Sequence, residues 1–430
     1  MERFFIYLAC ALASVALAQP GAPGSRPLPA FPGAEGFGAP ATGGRGGEIF
    51  HVTSLEDAGP GTFRDAVSRP RRIIVFDVGG VVRLKSNVTG SSDLTLLGQT
   101  APGEGIALYG RSISFSGRTN VIARYLRLRE GIRGDKGKCS LNLAGSGNMM
   151  FDHDSIQWGR WDCLGLTKGS HDVTFQNCML GQGIDPQRFG ALVDSVRNVT
   201  FSHNLWIDNK SRNPKAKGAV QYINNVVYNW GGNGLVGGHS AEDHQLDAIG
   251  NYFIKGPSSN DRFASEFKST DKVFQKDNYA DLNRDGRLNG QLVTEAGFGV
   301  AEGAPTFVSA PFLHPQIPVT IDPAAVAWQM AVESAGCSLH RDAVDRRLIA
   351  ELKSLGASGQ IVTSEAEAGG MGEIAGGPLP ASTVHDGIPD IWKTAHALDP
   401  KDPNLAGADY NHDGYANVEK YANELAAGKP

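Results

Sequence analysis

The sequence predicts an all-β solenoid: a right-handed, single-stranded parallel β-helix with helical caps and a small C-terminal tail. Short apolar runs with alternating or β-branched residues recur along the chain, as the strands of stacked coils would. Five of these runs begin 27, 28, 24 and 26 residues apart, at Asp93, Asn120, Asn148, Asp172 and Asn198. A repeat of roughly 20–30 residues indicates a solenoid in which each repeat forms one coil. The 55 glycines among 430 residues show no Gly-X-Y period, fit many turns and argue against a helical bundle.

Asparagines form a second periodic pattern. They lie at intervals of 27, 21, 26 and 27 residues, at Asn177, Asn204, Asn225, Asn251 and Asn278. Stacked asparagines at one corner of a solenoid hydrogen-bond to each other as a ladder, and asparagine tolerates the left-handed conformation of a sharp corner. We therefore predict a structural role for these five residues.

Helical segments are predicted near both ends of the solenoid. Residues 61–68 have helical spacing and would cover the first coil, because the open end of a solenoid needs a cap. Residues 323–356 also have helical spacing and would pack against the outside of the coils or against their end.

The chain divides into five predicted segments. Residues 1–18 predict a secretory signal peptide, because Arg3 precedes an apolar stretch that ends in a small-residue cleavage pattern. The other segments are a linker (19–30), a β-helix unit with its later helices (31–365), a Gly/Ala/Pro-rich linker (366–382) and a small unit (383–430).

Composition narrows the class of protein. The net charge of −5 argues against a nucleic-acid binder, and no stretch after the signal is apolar for long enough to cross a membrane. We expect a secreted monomer, extracellular or, in a Gram-negative source, periplasmic. The four later cysteines, Cys139, Cys163, Cys178 and Cys337, lack the spacing of a zinc ribbon and leave disulfides and free buried thiols both open.

The segment that says most about function is a basic cluster between two predicted coils. Arg212, Lys215 and Lys217 surround Pro214, whose ring restricts the backbone. Such a cluster on a solenoid face would attract a polyanion, for example a chain of uronic acids. Composition alone leaves a solvated surface loop open as the alternative.

Several motifs together carry a family resemblance. They are FPGAEGFG at residues 31–38, GGRGGEI at 43–49, GPGTFRDA at 59–66, Asp152-His153, and RNPKAK at 212–217. In these motifs the chain resembles the secreted pectate lyases of polysaccharide lyase family one. The resemblance implies a parallel β-helix enzyme that cleaves a polyuronate, with pectate (de-esterified homogalacturonan) favoured. The reaction is anti β-elimination across C4–C5, which leaves an unsaturated uronate end.

The resemblance also implies roles for the basic residues. The family pattern Arg-x-Pro-x-x-Arg/Lys falls on Arg212, Pro214 and Lys217, so Arg212 would take the C5 proton and Lys217 would bind a substrate carboxylate. Arg188 lies where the family often has a basic substrate-binding residue. Arginine is normally always charged and acts as a base only if nearby positive charge, such as Lys215 or a bound Ca²⁺, depresses its pKa. The more conservative role for Arg212 is stabilisation of the carbanion.

The acidic calcium ligands of this family match the chain only in part. Their positions fall near Ser140, Trp161-Asp162 and Gly165. Of these, only Asp162 is acidic, and Asp154 is an added acid nearby. The sequence therefore predicts either a reduced calcium site made by Asp154 and Asp162, or replacement of the metal by cationic groups such as Lys168 and Arg188.

A second calcium pattern lies in the C-terminal unit. The residues at the ligand positions of an EF-hand-type loop are Asp409, Asn411, Asp413 and Tyr415. Gly414 occupies the sharp turn, but the twelfth position is Lys420, and Glu419 comes one residue early. The tail looks like a dockerin or thrombospondin type 3 unit, which predicts bound Ca²⁺.

Two other classes of function remain open at this point. A glycoside hydrolase on the same fold would need paired carboxylates, which Asp152, Asp154 and Asp162 could offer. A non-catalytic solenoid that binds carbohydrate or mediates adhesion is the second alternative, because one fold hosts many functions. Asp152 and His153 are equally consistent with a buried hydrogen-bonded pair.

Overall fold

The structure, a computed structural model, describes residues 27–428. The predicted signal peptide (1–18) and residues 19–26 of the predicted linker lie outside the described residues. From residue 48 to residue 307 the chain winds into a parallel β-helix, as the repeat predicts.

Between residues 27 and 428 the chain forms twenty-nine strands, most of which build the coils. In chain order they begin with β1 (Glu48–Val52), β2 (Arg72–Phe76), β3 (Gly80–Arg83), β4 (Val88–Thr89), β5 (Leu94–Leu97), β6 (Ile106–Tyr109), β7 (Ile113–Ser114), β8 (Thr119–Arg124), β9 (Leu126–Arg129), β10 (Leu141–Ala144), β11 (Gly147–Asp152), β12 (Ser155–Gln157), β13 (Asp162–Thr167), β14 (His171–Gln176) and β15 (Met179–Gly181). They continue with β16 (Phe189–Ser202), β17 (Leu205–Ile207), β18 (Lys215–Ile223), β19 (Val226–Tyr228), β20 (Leu235–Val236), β21 (His244–Ile249), β22 (Tyr252–Ile254), β23 (Ala264–Ser265), β24 (Phe267–Lys268), β25 (Asp271–Lys276), β26 (Tyr279–Asp281), β27 (Gln291–Leu292), β28 (Val300–Glu302) and β29 (Thr306–Phe307).

The strands stack into three faces. The first face contains β4, β7, β10, β13, the start of β16, the start of β18, β20 and β23. The second contains β1, β2, β5, β8, β11, β14, the ends of β16 and β18, β21, β25 and β29. The third is a sheet of ten strands that runs from β3 to β27. Each coil passes from the first face to the second face and then to the third face. The loop after each third-face strand therefore leads to the first face of the next coil.

The predicted asparagine ladder exists, with one member displaced. Asn204, Asn225, Asn251 and Asn278 are fully buried at the corner between the second and third faces. Side-chain bonds of 2.9, 3.2 and 2.8 Å join them in that order. In the preceding coil the ladder position is held by Cys178, whose amide nitrogen donates to Asn204 Oδ1 at 2.8 Å. The prediction of Asn177 as a ladder member was therefore wrong by one residue.

A second polar row lines the corner between the first and second faces. The residues at which the apolar runs begin lie here, and all five have left-handed φ values between 52° and 61°, which Asx residues tolerate. Asn120 Nδ2 donates to Asp93 Oδ1 at 2.8 Å, and Asn198 Nδ2 donates to Asp172 Oδ1 at 2.9 Å. The repeat seen in the sequence is thus the repeat of this corner.

The interior of the coils is apolar and stacked. Phe151, Phe175 and Phe201 occupy equivalent positions on the second face, with ring centroids 4.6 and 5.4 Å apart. Offset aromatic stacks of this kind add to the gain from burying their surface. The core therefore repeats in register with the hydrogen-bonded strands and fixes which side chains point outwards.

The helical expectations are confirmed. The helices are α1 (Phe63–Ala66), α2 (Ala324–Ser334), α3 (Ala343–Lys353), α4 (Asp390–Ala395) and α5 (Asn417–Ala426), with 3₁₀ turns at Gly98–Thr100, Glu295–Gly297, Ser338–His340 and Glu365–Ala368. The short α1 buries Phe63 and Ala66 against the first coils. The apolar faces of α2 and α3 pack on the outer side of the third face.

The C-terminal unit packs on the outside of the first coils. Ile73 and Val75 of β2 share an apolar cluster with Trp392 of α4 and Val418 of α5. The segment 366–382 that leads to this unit is itself anchored, because Ala375 N donates to Glu104 Oε2 at 3.0 Å. The boundaries of the five segments stay a prediction.

Two further sequence questions concern cysteines and membranes. All four cysteines of the described residues are buried and unbonded, so the thiol alternative holds there. Between residues 27 and 428, no helix combines the length and the apolar character that a membrane span requires.

Candidate active site

A polar groove runs along the outer side of the first face. One hollow of about 430 Å³ is lined by Ser114 of β7 and Asn142 of β10 together with Trp161, Asp162 and Lys168, among others. A neighbouring hollow of about 260 Å³ is lined by Phe189, Lys210, Arg212, Lys215, Asn233 and Glu266, among others. The two adjoin, because the Asp162 carboxylate in the first is paired with Arg212 in the second. A linear polymer could therefore lie across several coils in this groove.

The loop that carries Arg212 connects the third face to the first face, and hydrogen bonds to buried residues hold it in place. Asn209 is buried, and its side chain accepts from Gly183 N at 3.0 Å and donates to Asn213 Oδ1 at 2.9 Å. Tyr222 OH donates to Asn213 O at 3.0 Å, and the Asn213–Pro214 peptide bond is cis. These contacts fix the backbone on both sides of Arg212.

The Arg212 guanidinium lies between a carboxylate and an aromatic ring. Its Nη1 is 3.2 and 3.3 Å from the two oxygens of Asp162, and its central carbon is 4.3 Å from the centre of the Phe189 ring. Burial raises the pKa of Asp162 to about 6, although Arg212 and Lys215 act in the opposite direction. Asp162 is therefore largely ionised at neutral pH and forms an ion pair with the Arg212 guanidinium.

Two lysines extend the positive charge along β18. Lys215 and Lys217 alternate with the buried Ala216, so both side chains point outwards from the first face. Lys215 Nζ is 3.7 Å from Glu266 Oε2, and Lys217 Nζ is 2.7 Å from Asp194 Oδ1. The predicted cluster of three cations is thus assembled on one surface.

The other two predicted cations differ in position. Lys168 is exposed at the end of β13 and lines the larger hollow. Arg188 lies in the loop before β16, where its Nε is 2.5 Å from Asp185 Oδ1. The structure therefore brings Lys168 to the groove, whereas the guanidinium of Arg188 is already paired within its own loop.

The residues at the family's calcium positions do not fit a calcium ion. Ser140 is buried, and its hydroxyl donates to Gln157 O. Gly165 has no side chain that could bind an ion, and a Cβ at this position would lie 3.0 Å from Cys139 Sγ, so an acid there would require Cys139 to shift. The carboxylate of Asp162 is occupied by Arg212. Across residues 27–428, no three or more His, Cys, Asp or Glu side chains form a group that could hold a metal ion.

The expectation that Asp154 belongs to the active site was wrong. Asp154 is fully buried at the corner between the second and third faces, one coil before Cys178 in the ladder. Its Oδ1 accepts from Leu126 N at 2.8 Å. Burial holds the pKa of Asp154 well above its usual range, which favours a neutral, hydrogen-bonded carboxyl.

Asp152 and His153 form a structural pair. Asp152 is buried, with Arg124 Nε at 2.8 Å, Gln176 Nε2 at 3.0 Å and His153 Nδ1 at 2.8 Å. Burial opposes ionisation, but His153 and Arg124 hold the pKa of Asp152 below its ordinary value. Because neither Asp152 nor Asp154 reaches the groove, the paired carboxylates of a glycoside hydrolase are not assembled by these residues.

The C-terminal loop holds a lysine where a calcium ion was predicted. Lys420 Nζ contacts Asp409 Oδ1, lies 3.2 Å from Asp413 Oδ1 and is 4.6 Å from the centre of the Tyr410 ring. Asn411 Nδ2 donates to Asp413 Oδ2 at 3.1 Å, and the Tyr415 hydroxyl donates to Pro29 O at 3.0 Å. The ligand set predicted from Asp409, Asn411, Asp413 and Tyr415 does not fit a calcium ion, because the ammonium group already neutralises its carboxylates.

This arrangement predicts the effect of calcium on stability. The melting temperature of the wild-type protein should be the same in chelator and in millimolar Ca²⁺. In Lys420→Glu the ammonium is replaced by the missing twelfth-position ligand, so the variant should melt lower in chelator and regain stability as Ca²⁺ is added. Lys420→Met is the control that loses the ammonium without gaining a ligand. Calcium-dependent melting of the wild-type protein, lost in Asp409→Asn, would show that the loop binds the ion.

Comparisons with known proteins agree with this architecture. The probable pectate lyase C of Aspergillus terreus is 42% identical over 404 residues, which cover 93% of this chain and 94% of that protein. The probable pectate lyase C of Emericella nidulans is 41% identical over 400 residues, with 93% of each chain covered. No protein-family model matches the chain.

Solved structures share the fold. The major allergen from cedar pollen superposes with a TM-score of 0.50 at 17% identity, covering 70% of this chain and 92% of that one. A thermostable pectate lyase superposes with a TM-score of 0.51 at 14% identity, covering 72% and 97%. Fold and relatives together define this protein as a polysaccharide lyase built on a parallel β-helix. Within that class, the chain belongs to the pectate lyase C family.

Sequence reasoning missed several residues that shape the groove. Trp161 is exposed at its edge, Phe189 supports Arg212, and Glu266 and Asp194 face the two lysines. An exposed tryptophan beside a polar groove offers a flat apolar surface to a sugar ring. Its position next to Asp162 is visible in the sequence, but its exposure is not.

Proposed function

We propose that the protein is secreted and cleaves pectate by β-elimination in the first-face groove, without an active-site calcium ion. The observation that carries this proposal is the pairing of Arg212 with Asp162, beside Lys215 and at a position where the family resemblance implies an acidic calcium ligand. The secretory part of the proposal rests on the signal-like residues 1–18.

The groove supplies binding and charge stabilisation. Lys168, Lys215 and Lys217 face a polymer whose every ring carries a carboxylate, so attraction increases with chain length. When the C5 proton leaves, negative charge moves onto the adjacent carboxylate. The guanidinium of Arg212 is held in the groove and can donate to that carboxylate as the charge develops.

The reaction class is tested by following the product. Mature protein is incubated with polygalacturonate, highly methyl-esterified pectin and other uronate polymers, while ultraviolet absorbance of the unsaturated ends is recorded. We expect absorbance to rise fastest with polygalacturonate, because esterification removes the charges that the lysines bind. No rise with any uronate polymer would refute the lyase proposal, and new reducing ends without absorbance would support a hydrolase.

Chelation tests the role of the cations. The initial rate on polygalacturonate should be unchanged, within about twofold, in excess chelator, because Arg212 and Lys215 supply the positive charge. The matching control is a commercial calcium-dependent lyase assayed in the same buffers. If chelator stops this protein and Ca²⁺ restores it, calcium-free catalysis is refuted while the lyase proposal stands.

A further inference from the structure

Asp208 is a buried acid at the start of the loop that carries Arg212. It follows β17 on the third face, and its side chain is fully buried. Its φ is 56°, its amide nitrogen donates to Tyr228 O at 3.2 Å, and its Oδ1 accepts from Asn229 Nδ2 at 2.6 Å. A buried carboxyl group is costly to ionise unless it is paired, so the second oxygen of Asp208 needs a partner.

That partner is Glu351 of α3. The carboxyl groups of Asp208 and Glu351 face each other within reach of a hydrogen bond. Asp208 Oδ2 and Glu351 Oε2 are both buried, and no group of residues 27–428 donates a hydrogen bond to either atom. Two carboxylates this close in a buried site are not both ionised, but one proton between them satisfies both oxygens.

The surroundings of the two acids indicate which one holds the proton. Glu351 Oε1 is 2.9 Å from Arg347 Nη1, and Arg347 Nη2 donates to Gln182 Oε1 at 2.8 Å, so Glu351 has a cation of its own. Burial and the adjacent Glu351 hold the pKa of Asp208 well above its usual range, against the effect of the bond from Asn229. Asp208 is therefore the neutral donor, and Glu351 is the charged acceptor.

The remaining groups around the pair are neutral. The Tyr228 hydroxyl of β19 donates to Ser358 O and lies 3.0 Å from Ser354 Oγ. Burial raises the pKa of Tyr228, so this hydroxyl keeps its proton over the range in which Asp208 would titrate. A Cβ at Gly359 would lie 3.1 Å from Asp208 Oδ1, which shows that the segment after α3 packs directly on the acid.

We propose that Asp208 is a positioning residue for Arg212: a proton shared between Asp208 and Glu351 ties the start of the Arg212 loop to α3, and loss of this proton at alkaline pH releases the loop. This inference rests on the proposed lyase function. Asp208 precedes Asn209, which donates to Asn213 Oδ1 at 2.9 Å on the far side of Arg212. Ionisation of Asp208 would place a second negative charge in the buried corner, and movement of the loop away from α3 would relieve the repulsion.

Asp208→Asn tests the shared proton, because an amide reproduces the protonated acid. Its Nδ2 can donate to Glu351, its Oδ1 can accept from Asn229, and asparagine tolerates the left-handed backbone. The folded wild-type protein keeps a proton on Asp208 that the unfolded chain loses above about pH 4, so wild-type stability falls as pH rises from there to the raised pKa of Asp208. The melting temperature of Asp208→Asn should therefore exceed the wild-type value by a margin that widens over this range.

The pH profile of activity tests the positioning. In the wild-type protein kcat on polygalacturonate should fall at alkaline pH, and in Asp208→Asn this fall should begin at least about one pH unit higher, because the amide bond to Glu351 does not titrate. At neutral pH the two rates should be about equal. Asp208→Ala cannot donate to Glu351 at any pH, so its kcat and its melting temperature should be lower throughout. A residue with only a structural role would lower kcat without moving the alkaline fall.

Asp172→Asn is the matched control. Asp172 has a left-handed φ of 53° and accepts from Asn198 Nδ2 at 2.9 Å, but its side chain is 39% exposed, so both alkaline trends should stay as in the wild type. Melting temperatures of wild type and Asp208→Asn that run parallel from about pH 5 to pH 9 would overturn the shared proton. An alkaline fall in kcat that does not move in Asp208→Asn would overturn the positioning role. Inactivity of the wild-type protein on all uronate polymers would refute the lyase function, while the melting temperatures would still decide the shared proton.

Discussion

Replacing Arg212 by alanine should lower kcat on polygalacturonate about 10²–10³-fold, the size expected when one preorganised donor to a developing negative charge is removed. The fold should survive, because the guanidinium is partly exposed in the groove and the carboxyl of Asp162 can take up a proton. Burial already raises the pKa of Asp162 to about 6, and removal of the cation raises it further. Initial rates and thermal melts of the same preparations measure both expectations.

Two further variants test whether Arg212 itself causes the loss of kcat. Arg212→Lys retains charge but not the planar fork that contacts two oxygens, so its kcat should lie between the values for the alanine variant and the wild type. Arg197→Ala removes an exposed arginine on the second face and should leave kcat unchanged. A kcat for Arg212→Ala within tenfold of the wild type would show that Arg212 does not stabilise the transition state.

Periodicity explains why the fold was predictable from sequence. Each coil must turn at the same corners, and Asx residues at those corners, such as Asn120 and Asn198, recur with the coil. The sequence does not determine which residue of each coil occupies the ladder position, because Asn177 and Cys178 are adjacent and both fit a corner. Only the buried amide bond to Asn204 shows that Cys178 takes the ladder position.

The groove was predictable in part. The motif around Arg212 places three cations on successive outward positions of one loop and strand, which local spacing reveals. Pairing of Arg212 with Asp162 was not predictable, because the two residues are 50 positions apart and meet only when coils stack. The prediction for Asp154 failed for a related reason. Asp154 lies at a corner that faces away from the groove, and its position in the sequence does not show which side of the coil it occupies.

In the C-terminal unit one residue, Lys420, determines whether the EF-hand-type loop can bind calcium. The loop keeps its acids and its turn glycine, Gly414, whose nitrogen donates to Asp409 Oδ2 at 2.8 Å. Glu419, one residue early for calcium, is instead bound by Arg45 through its Nε and Nη2 at 2.9 Å each. The sequence places Lys420 at the twelfth position, but only the structure shows its ammonium among the acids.

Replacing Arg129 by methionine should lower the free energy of unfolding by about 3–5 kcal/mol, the usual cost of breaking a buried ion pair from one side. Arg129 is fully buried on β9 of the third face, where its Nη2 lies 3.1 Å from Asp342 Oδ1 and 2.9 Å from Asp345 Oδ1. Asp342 also caps α3, accepting from Asp345 N at 2.9 Å. Loss of the Arg129 guanidinium leaves the two buried carboxylates with Arg127 as their remaining cation, whose Nε lies 3.7 Å from each of them, so one carboxylate is uncompensated. Urea unfolding, followed by circular dichroism, measures the change.

The same helix supplies the matched control for this last expectation. Arg346 of α3 is exposed and lies 3.7 Å from Glu104, so Arg346→Ala should cost only about 0–1 kcal/mol. If charge imbalance causes the loss in Arg129→Met, adding Asp345→Asn should recover part of it, since one uncompensated carboxylate is then removed. A loss below about 1 kcal/mol in Arg129→Met would mean that water reaches the cluster and solvates the acids. In that case α3 would be held to the third face by its apolar contacts, such as Leu348 and Leu352, and not by the ion pairs.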